Sequence, residues 1–313
     1  MSSNYRIALI SIDSAKAPRL AWNSMRTAFA ALLLVLLVTL PLALSACGGE
    51  DKSEAATVAT EKDFNRGNFS DSTKIDNKWS PLVPGTQYIY EGRSNRGHGR
   101  RNHRVVFTVT DLTKKIDGVQ SVVLWDQDIN AGELLEGELA LFAQDDDGNL
   151  WNMGEFPAEF DENGKFEGAP DTWVSGLDRA RAGILMRGNP ETGTPSYHQG
   201  LAPKIGFQDV AKVVKTGEHN CVPTDCYDDV LVTDETNPTE PDDGHQLKYY
   251  APGVGNIRAA PGMGGKEKEV LVLVAVNKLT PQKLAEARSE ALALEKRAYG
   301  TDTPWARTPP ARR

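Results

Sequence analysis

The chain has 313 residues, with 35 basic against 43 acidic side chains and a formal net charge of −8. That balance excludes bulk electrostatic binding to nucleic acid and favours solubility, while 40% hydrophobic and 25% charged residues fit a folded domain rather than a disordered chain. After the N-terminal segment the length suffices for one sizeable core or two small ones.

Arg26 precedes an uncharged run, Thr27 to Leu44, dominated by Leu, Ala and Val. A positive flank followed by an apolar stretch is the layout of a secretory signal. The run ends in Leu44-Ser45-Ala46-Cys47, small residues directly before a lone cysteine, which reads as a bacterial lipobox. Cys47 is therefore the expected lipidation site and residues 1–46 the expected signal peptide, with Met25 as a possible alternative start. An uncleaved anchor helix is the competing reading, since about 20 apolar residues span a bilayer, but no basic stop-transfer flank follows Cys47. Two or more acyl chains give stable anchoring, at about 0.8 kcal/mol per buried CH₂. Gly48 rather than Asp directs such a lipoprotein to the outer membrane if the host has two membranes. Taking away the four basic residues and Asp13 that precede Cys47 leaves 31 basic against 42 acidic, a net charge of −11.

Residues 47–78 are polar and short of large apolar side chains, and are expected to be a flexible linker. From Trp79 the signal is strands. Val105-Phe107-Val109 and Val119-Ser121-Val123-Trp125 alternate with period two, and Asp117-Gly118 between them is a two-residue hairpin signal. Just before lies a basic cluster of Arg93, Arg96, Arg100, Arg101 and Arg104, with His98 and His103, among Gly97 and Gly99. Arg forks match phosphate and carboxylate, so Arg96, Arg100, Arg101 and Arg104 are candidate anion-binding residues; the alternative is a solvated hairpin tip. Asp126 and Asp128, two apart on a strand, form a carboxylate pair suited to general acid–base work.

Asp145-Asp146-Asp147-Gly148-Asn149 offers hard oxygens from Asp145, Asp147 and Asn149 to Ca²⁺, the one weak cofactor candidate. Its spacing departs from an EF-type loop, and Asp-Gly also serves a hairpin turn. Asn163-Gly164 marks a further hairpin between Phe160 and Phe166. Trp125, Trp151, Trp173, Phe156 and Phe160 are expected in the core, with a ligand surface as the alternative. Trp173 to Gly200 is glycine-rich and irregular, either a functional loop or a rim of short strands. Cys221 and Cys226, between two strand-like runs in an exported chain, are expected to form a disulfide stapling a hairpin tip. Free or redox-active thiols, or a metal site with His219, are the alternatives; zinc-finger spacing is absent.

Strands follow at Val230 to Thr233, Gln246 to Tyr250 and Val270 to Val276, with a tight turn at Gly253. The turn spacing is that of sandwiches and barrels. One helix is expected, Pro281 to Tyr299, capped by Thr280, with Leu284, Ala287, Ala291, Leu294 and Ala298 in an apolar stripe. Thr301 to Arg313, rich in proline, is expected to be a disordered tail. Serine-hydrolase, phosphate-loop, zincin and dinucleotide motifs are absent from the sequence.

Two segments carry a resemblance. Pro81-Leu82-Val83-Pro84-Gly85-Thr86-Gln87-Tyr88-Ile89-Tyr90 and Lys248-Tyr249-Tyr250-Ala251-Pro252-Gly253-Val254-Gly255, with Asp147-Gly148-Asn149-Leu150-Trp151 between them, resemble the opening strand and closing turn of an uncharacterised family of bacterial β-rich lipoproteins. The resemblance implies an antiparallel curved-sheet domain and brings no catalytic residues. The expectation is thus an all-β domain over 79–277, a sandwich or incomplete barrel, with the helix over an edge or open face. Its expected function is a non-enzymatic envelope lipoprotein held to the membrane by lipid, binding a ligand or partner such as an amphiphile or anionic polymer and not nucleic acid. The alternatives are an envelope-polysaccharide hydrolase or lyase using Asp126 and Asp128, and a structural component of an envelope assembly.

Overall fold

The computed structural model describes residues 64–95, 99–239, 241, 244–264 and 269–313. The signal peptide, Cys47, Arg96 and most of the linker lie outside the described residues.

Fourteen strands alternate with tight turns: β1 Thr86–Asn95, β2 Arg100–Ile116, β3 Val119–Asn130, β4 Glu133–Gln144, β5 Leu150–Phe160, β6 Phe166–Gly168, β7 Trp173–Val174, β8 Arg181–Met186, β9 Tyr197–Ala202, β10 Phe207–Val222, β11 Asp225–Thr236, β12 Gln246–Ala251, β13 Gly255–Pro261 and β14 Glu269–Lys278. All pairings are antiparallel. The order runs β4-β3-β2-β1-β14-β13-β12-β11-β10-β9-β8-β5, and β4 pairs with β5. That last ladder, from Glu136 opposite Glu159 to Gln144 opposite Leu150, closes a twelve-stranded barrel. The expected sandwich or incomplete barrel is corrected accordingly: closure removes the two edges that an open sheet would have to protect.

The turns follow their local chemistry. Asp117 (φ 47°) and Gly118 (φ 87°) take the left-handed conformations of a two-residue hairpin between β2 and β3. Staves that sequence reading left irregular, β8 and β9, fit because Gly183 has no side chain: a Cβ there would lie 2.4 Å from the backbone of Gln199 and Gly200. The excursion after Trp173 is a set of short staves and not one long loop.

Strand alternation sorts the core into two layers. Inside the barrel, Tyr88, Tyr90, Val105, Phe107, Leu124, Ala140, Phe142, Ile257, Leu271 and Leu273 pack together. Outside, Val123, Leu139, Leu141, Phe156 and Ala158 form a second cluster with Ala291, Leu294 and Ala298 of helix α1, Pro281–Ala298. Thr280 Oγ1 accepts the Lys283 N–H at 3.3 Å and caps the helix as expected. The apolar stripe is buried at Ala287, Ala291, Leu294 and Ala298, joined by Glu295. The helix lies against the outer wall, on β2 and β4, so the sheet does not wrap around it.

Two boundary expectations need correction. Residues 64–78 are not free linker: Phe64 and Phe69 pack on Trp151, with Phe64 5.3 Å and Phe69 6.1 Å from it, and Ile75, Trp79 and Leu82 enter the inner core. Residues 301–313 are not a disordered tail: Trp305 is fully buried against Phe156, and Arg312 bridges to Thr113. In both segments one or two aromatics outweigh a polar, proline-rich composition.

Candidate functional site

The barrel has two unlike ends. At one, the segment 64–82 crosses the β2–β3 and β4–β5 turns, with Arg66 bonded to Asp117, Ser70 N–H and Oγ donating to Asp146 at 2.9 and 2.6 Å, and Asn77 Nδ2 donating to Gly148 O at 2.8 Å. This end is plugged. At the other end, the inner face changes character along β1 to β4 and β14.

Register makes the change explicit. On β3 the inward row runs Leu124, Asp126, Asp128, Asn130; opposite it on β2 stand Val109, Phe107, Val105 and His103. On β4, Glu138 faces Asp126 and Glu136 faces Asp128. On β1, Gly92 faces His103 and Ser94 faces Arg101; on β14, Glu269 faces Ser94. Apolar floor thus gives way to a belt of acids toward the open rim.

These groups form a continuous chain. Ser94 Oγ donates to Asn130 Oδ1 at 2.5 Å, and Asn130 Nδ2 to Asp128 Oδ1 at 2.5 Å. His103 Nε2 meets the same Asp128 oxygen at 2.9 Å. Its Nδ1 lies 3.1 Å from Glu269 Oε1, close as an ion pair but without the alignment of a hydrogen bond. Gln246 Nε2 then donates to Glu269 Oε2 at 3.2 Å. Burial alone would lower the imidazole pKa, but Asp128 and Glu269 outweigh it and raise His103 to about 10. At neutral pH it is an imidazolium wedged between two carboxylates.

Asp126 has the opposite fate. Burial, reinforced by Asp128, Glu136 and Glu269, pushes its carboxyl well above the usual range, with the Gln127 amide offsetting only part. Neither of its oxygens has a hydrogen bond of good geometry. The paired aspartates therefore sit side by side on the inner face, as their spacing predicts, with Asp126 shifted toward its neutral form and Asp128 bonded to His103.

Among the described residues, a cavity of about 160 Å³ lies at this end of the barrel, lined by Ser94, Arg101, Asn130, Glu133, Leu135 and Glu162. Ser94 and Asn130 belong both to its wall and to the chain behind it. Strand alternation splits the arginine cluster: Arg101, two residues before His103, faces the cavity. Arg104 is paired on the exterior with Glu91, and Arg100 is exposed at the start of β2. Among the described arginines of the cluster, only Arg101 lines the cavity.

The Asp145 loop is a hairpin turn. Asp145 Oδ1 accepts the N–H groups of Asp147 and Asn149 at 3.0 and 2.8 Å, and Oδ2 accepts Asn149 Nδ2 and Trp151 Nε1 at 2.9 and 2.8 Å. Asp147 accepts from Asn68 at 2.8 Å. Asp145 thus directs its oxygens to N–H donors that close the turn. Of the aromatics, Trp151, Phe156 and Phe160 pack on neighbouring rings. Trp173 stacks on Phe207 and lines a second cavity of about 190 Å³ with Leu177, Ala180, Ala202, Ile205 and Pro304. Cys221 and Cys226 form the expected disulfide at the β10–β11 tip.

Ser94, Asn130, Glu136, Glu138 and Glu269 carry no motif in the sequence, and His103 stands out there only as part of the basic cluster. The available signal was period-two polarity, Asp126-x-Asp128-x-Asn130 and Glu136-x-Glu138, within otherwise strand-forming runs.

No protein-family profile and no curated protein matches the sequence. Among solved structures, the chain is similar to a Bacteroides fragilis protein described as a "putative exported protein with YmcC-like fold", at 15% identity and TM-score 0.35, covering 64% of this chain and all of that one. It is also similar to a "putative lipoprotein" of Parabacteroides distasonis, at 13% identity and TM-score 0.36, covering 66% of this chain and all of that one. Likeness at this level carries no argument about activity.

Proposed function

We propose that this chain is an acyl-anchored lipoprotein of the bacterial envelope whose barrel mouth binds, without chemistry, one unit of an anionic envelope polymer. The observation that carries the reading is the rim cavity, with Arg101 on its wall and the Ser94–Asn130–Asp128–His103 chain fixing two of its polar groups from behind. Arg101 supplies a fork for a carboxylate or phosphate. Ser94, Asn130, Glu133 and Glu162 suit hydroxyl and amine groups, and Leu135 a ring face. The volume is below the roughly 300–1,000 Å³ of a site that engulfs a whole ligand, so it fits a single sugar-sized unit with the rest of the chain outside.

Placement supports this reading. Phe64, the first described residue, packs beside the plugged end, so a tether from Cys47 would reach the barrel at the end opposite the cavity. An amphiphile is less well served, because apolar side chains fill the inner floor.

The test is retention of the detergent-solubilised protein on immobilised uronic-acid or phosphate-bearing polysaccharide against a neutral glycan. Salt-sensitive retention by the acidic polymers alone supports the reading; equal behaviour on both ends it. Metabolic labelling with a fatty-acid probe tests the anchor, and a Cys47→Ser protein that still takes up label would contradict it.

A second reading has one observation in its favour. A carboxyl of raised pKa, Asp126, beside an Asp128 paired with His103 is the pattern of two acids held in unlike environments, as an acid–base pair requires. It requires turnover of envelope glycans that Asp126→Asn abolishes.

A further inference from the structure

The β10–β11 tip carries more than a cross-link. Cys221 and Cys226 stand directly opposite each other in the ladder. His219, two residues before Cys221 and on the same face, places Nε2 3.4 Å from Cys221 Sγ. Its other nitrogen, Nδ1, is 2.6 Å from Asp228 Oδ1. The imidazole is thus held at one nitrogen by a carboxylate and aims the other at sulfur. One donor atom from each of His219, Cys221 and Cys226 lies within 4.8 Å of the others, and all three residues are exposed.

We infer that the reduced tip is a binding site for a thiophilic d¹⁰ cation, Zn²⁺, and that disulfide formation closes it. Around tetrahedral zinc, Zn–N of about 2.0–2.1 Å and Zn–S of about 2.3 Å set nitrogen and sulfur roughly 3.5 Å apart. The His219–Cys221 pair already has that spacing in the oxidised protein. Asp228 fills the position of the carboxylate that fixes ring tautomer and orientation in histidine–zinc sites. Three ligands from one hairpin leave a fourth position for water or a partner's donor group, and the set Cys₂His is soft enough to reject Mg²⁺ and Ca²⁺.

A thiolate of an external dithiol attacks one Sγ, the Cys221–Cys226 bond breaks, and its electron pair leaves on the other Sγ. The reductant's second thiol resolves the mixed disulfide, so two electrons and two protons pass to the cysteines and the reductant becomes a disulfide. Zn²⁺ then displaces both thiol protons to solvent. In the reverse direction an external disulfide accepts two electrons from the two cysteine thiolates and leaves as a dithiol after taking two protons from solvent, so the Cys221–Cys226 bond re-forms, two ligands are removed at once and the ion is released.

The experiment uses full-length protein in detergent, reduced with a phosphine under anaerobic conditions. Zn²⁺ is titrated against a chromophoric chelator, and Co²⁺ is added to a parallel sample. The expected result is one Zn²⁺ per chain, with tetrahedral d–d bands and thiolate-to-cobalt charge transfer in the Co²⁺ sample, both absent from the oxidised protein. His219→Ala should weaken zinc at least about 10-fold, and Asp228→Asn about 10-fold or more, within the 10–100-fold span of outer-shell partners. These exposed positions lie beyond the barrel, so circular dichroism and melting should be unchanged. The inference is overturned if the reduced protein binds no more zinc than a Cys221→Ser/Cys226→Ser variant. It is equally overturned if His219→Ala binds as tightly as the parent, since the sulfurs would then act alone.

Discussion

Lys114 Nζ donates to Glu295 Oε1 at 2.6 Å, joining the outer wall of β2 to helix α1 in a site where both side chains are almost wholly buried. The ammonium also donates to Tyr299 OH and Pro309 O, at 2.9 and 2.5 Å. Glu295 accepts the Ala311 N–H at 3.1 Å. One ion pair therefore fastens barrel, helix and C-terminal segment together. Burial lowers the Lys114 pKa, with Glu295 pulling it back.

Removing one partner of such a pair leaves a buried, uncompensated charge, which costs about 3–5 kcal/mol. Lys114→Met should lower the unfolding free energy by that amount and expose the 301–313 segment to protease. Lys114→Met combined with Glu295→Leu should recover much of the loss. Equal destabilisation by the single and double variants would show that packing, and not the pair, holds the segment.

The pH dependence follows from His103. Its folded pKa, about 10, lies above the unfolded value of about 6.5, so the folded state binds the extra proton. The stabilisation is complete below about pH 6.5 and is lost as pH rises toward 10. Urea midpoints taken at pH 6, 8 and 10 should fall in that order, and His103→Gln should flatten the series. An unchanged slope in the variant would assign the trend elsewhere.

Asp126 has the reverse chemistry. Its folded pKa is raised, so ionisation is harder in the folded chain and stability drains away as pH climbs above the unfolded value near 3.9. The nearly isosteric, uncharged Asp126→Asn should raise the melting temperature by a few degrees at pH 8 and by little at pH 4. A lower melting temperature at pH 8 would mean that the carboxylate is ionised and paired in solution.

The N-cap supplies a smaller test. Thr280→Ala removes the bond to the Lys283 amide and should cost about 1 kcal/mol. Because the helix carries Glu295, protease sensitivity of the C-terminal segment should rise with it.

Much of this architecture is legible in the sequence. Period-two runs and Asp-Gly turns mark the staves, and Thr280-Pro281 marks the helix to within a residue. Barrel closure was not legible, because it depends on β5 pairing with both β4 and β8, a long-range choice that local pattern does not encode. The site was hidden for a related reason. Polar residues on alternate strand positions ordinarily face water, yet here Asp126, Asp128, Glu136 and Glu138 face inward. Their apolar neighbours Val123, Leu139 and Leu141 face out, under helix α1. Only the register and the helix reveal which face is which. The docked ends, Phe64 to Asn77 and Trp305 to Arg312, escape a composition argument because single aromatics anchor them.

The mouth itself is tested most directly by titrating a short uronic-acid oligosaccharide into detergent-solubilised protein at low salt, for the parent chain and for Arg101→Ser. The account predicts saturable 1:1 binding that weakens at least about 10-fold, or 1.4 kcal/mol, in the variant, while Arg104→Ser, on the outer face, leaves it unchanged. Binding lost equally in both variants, or in neither, would contradict recognition at the barrel mouth.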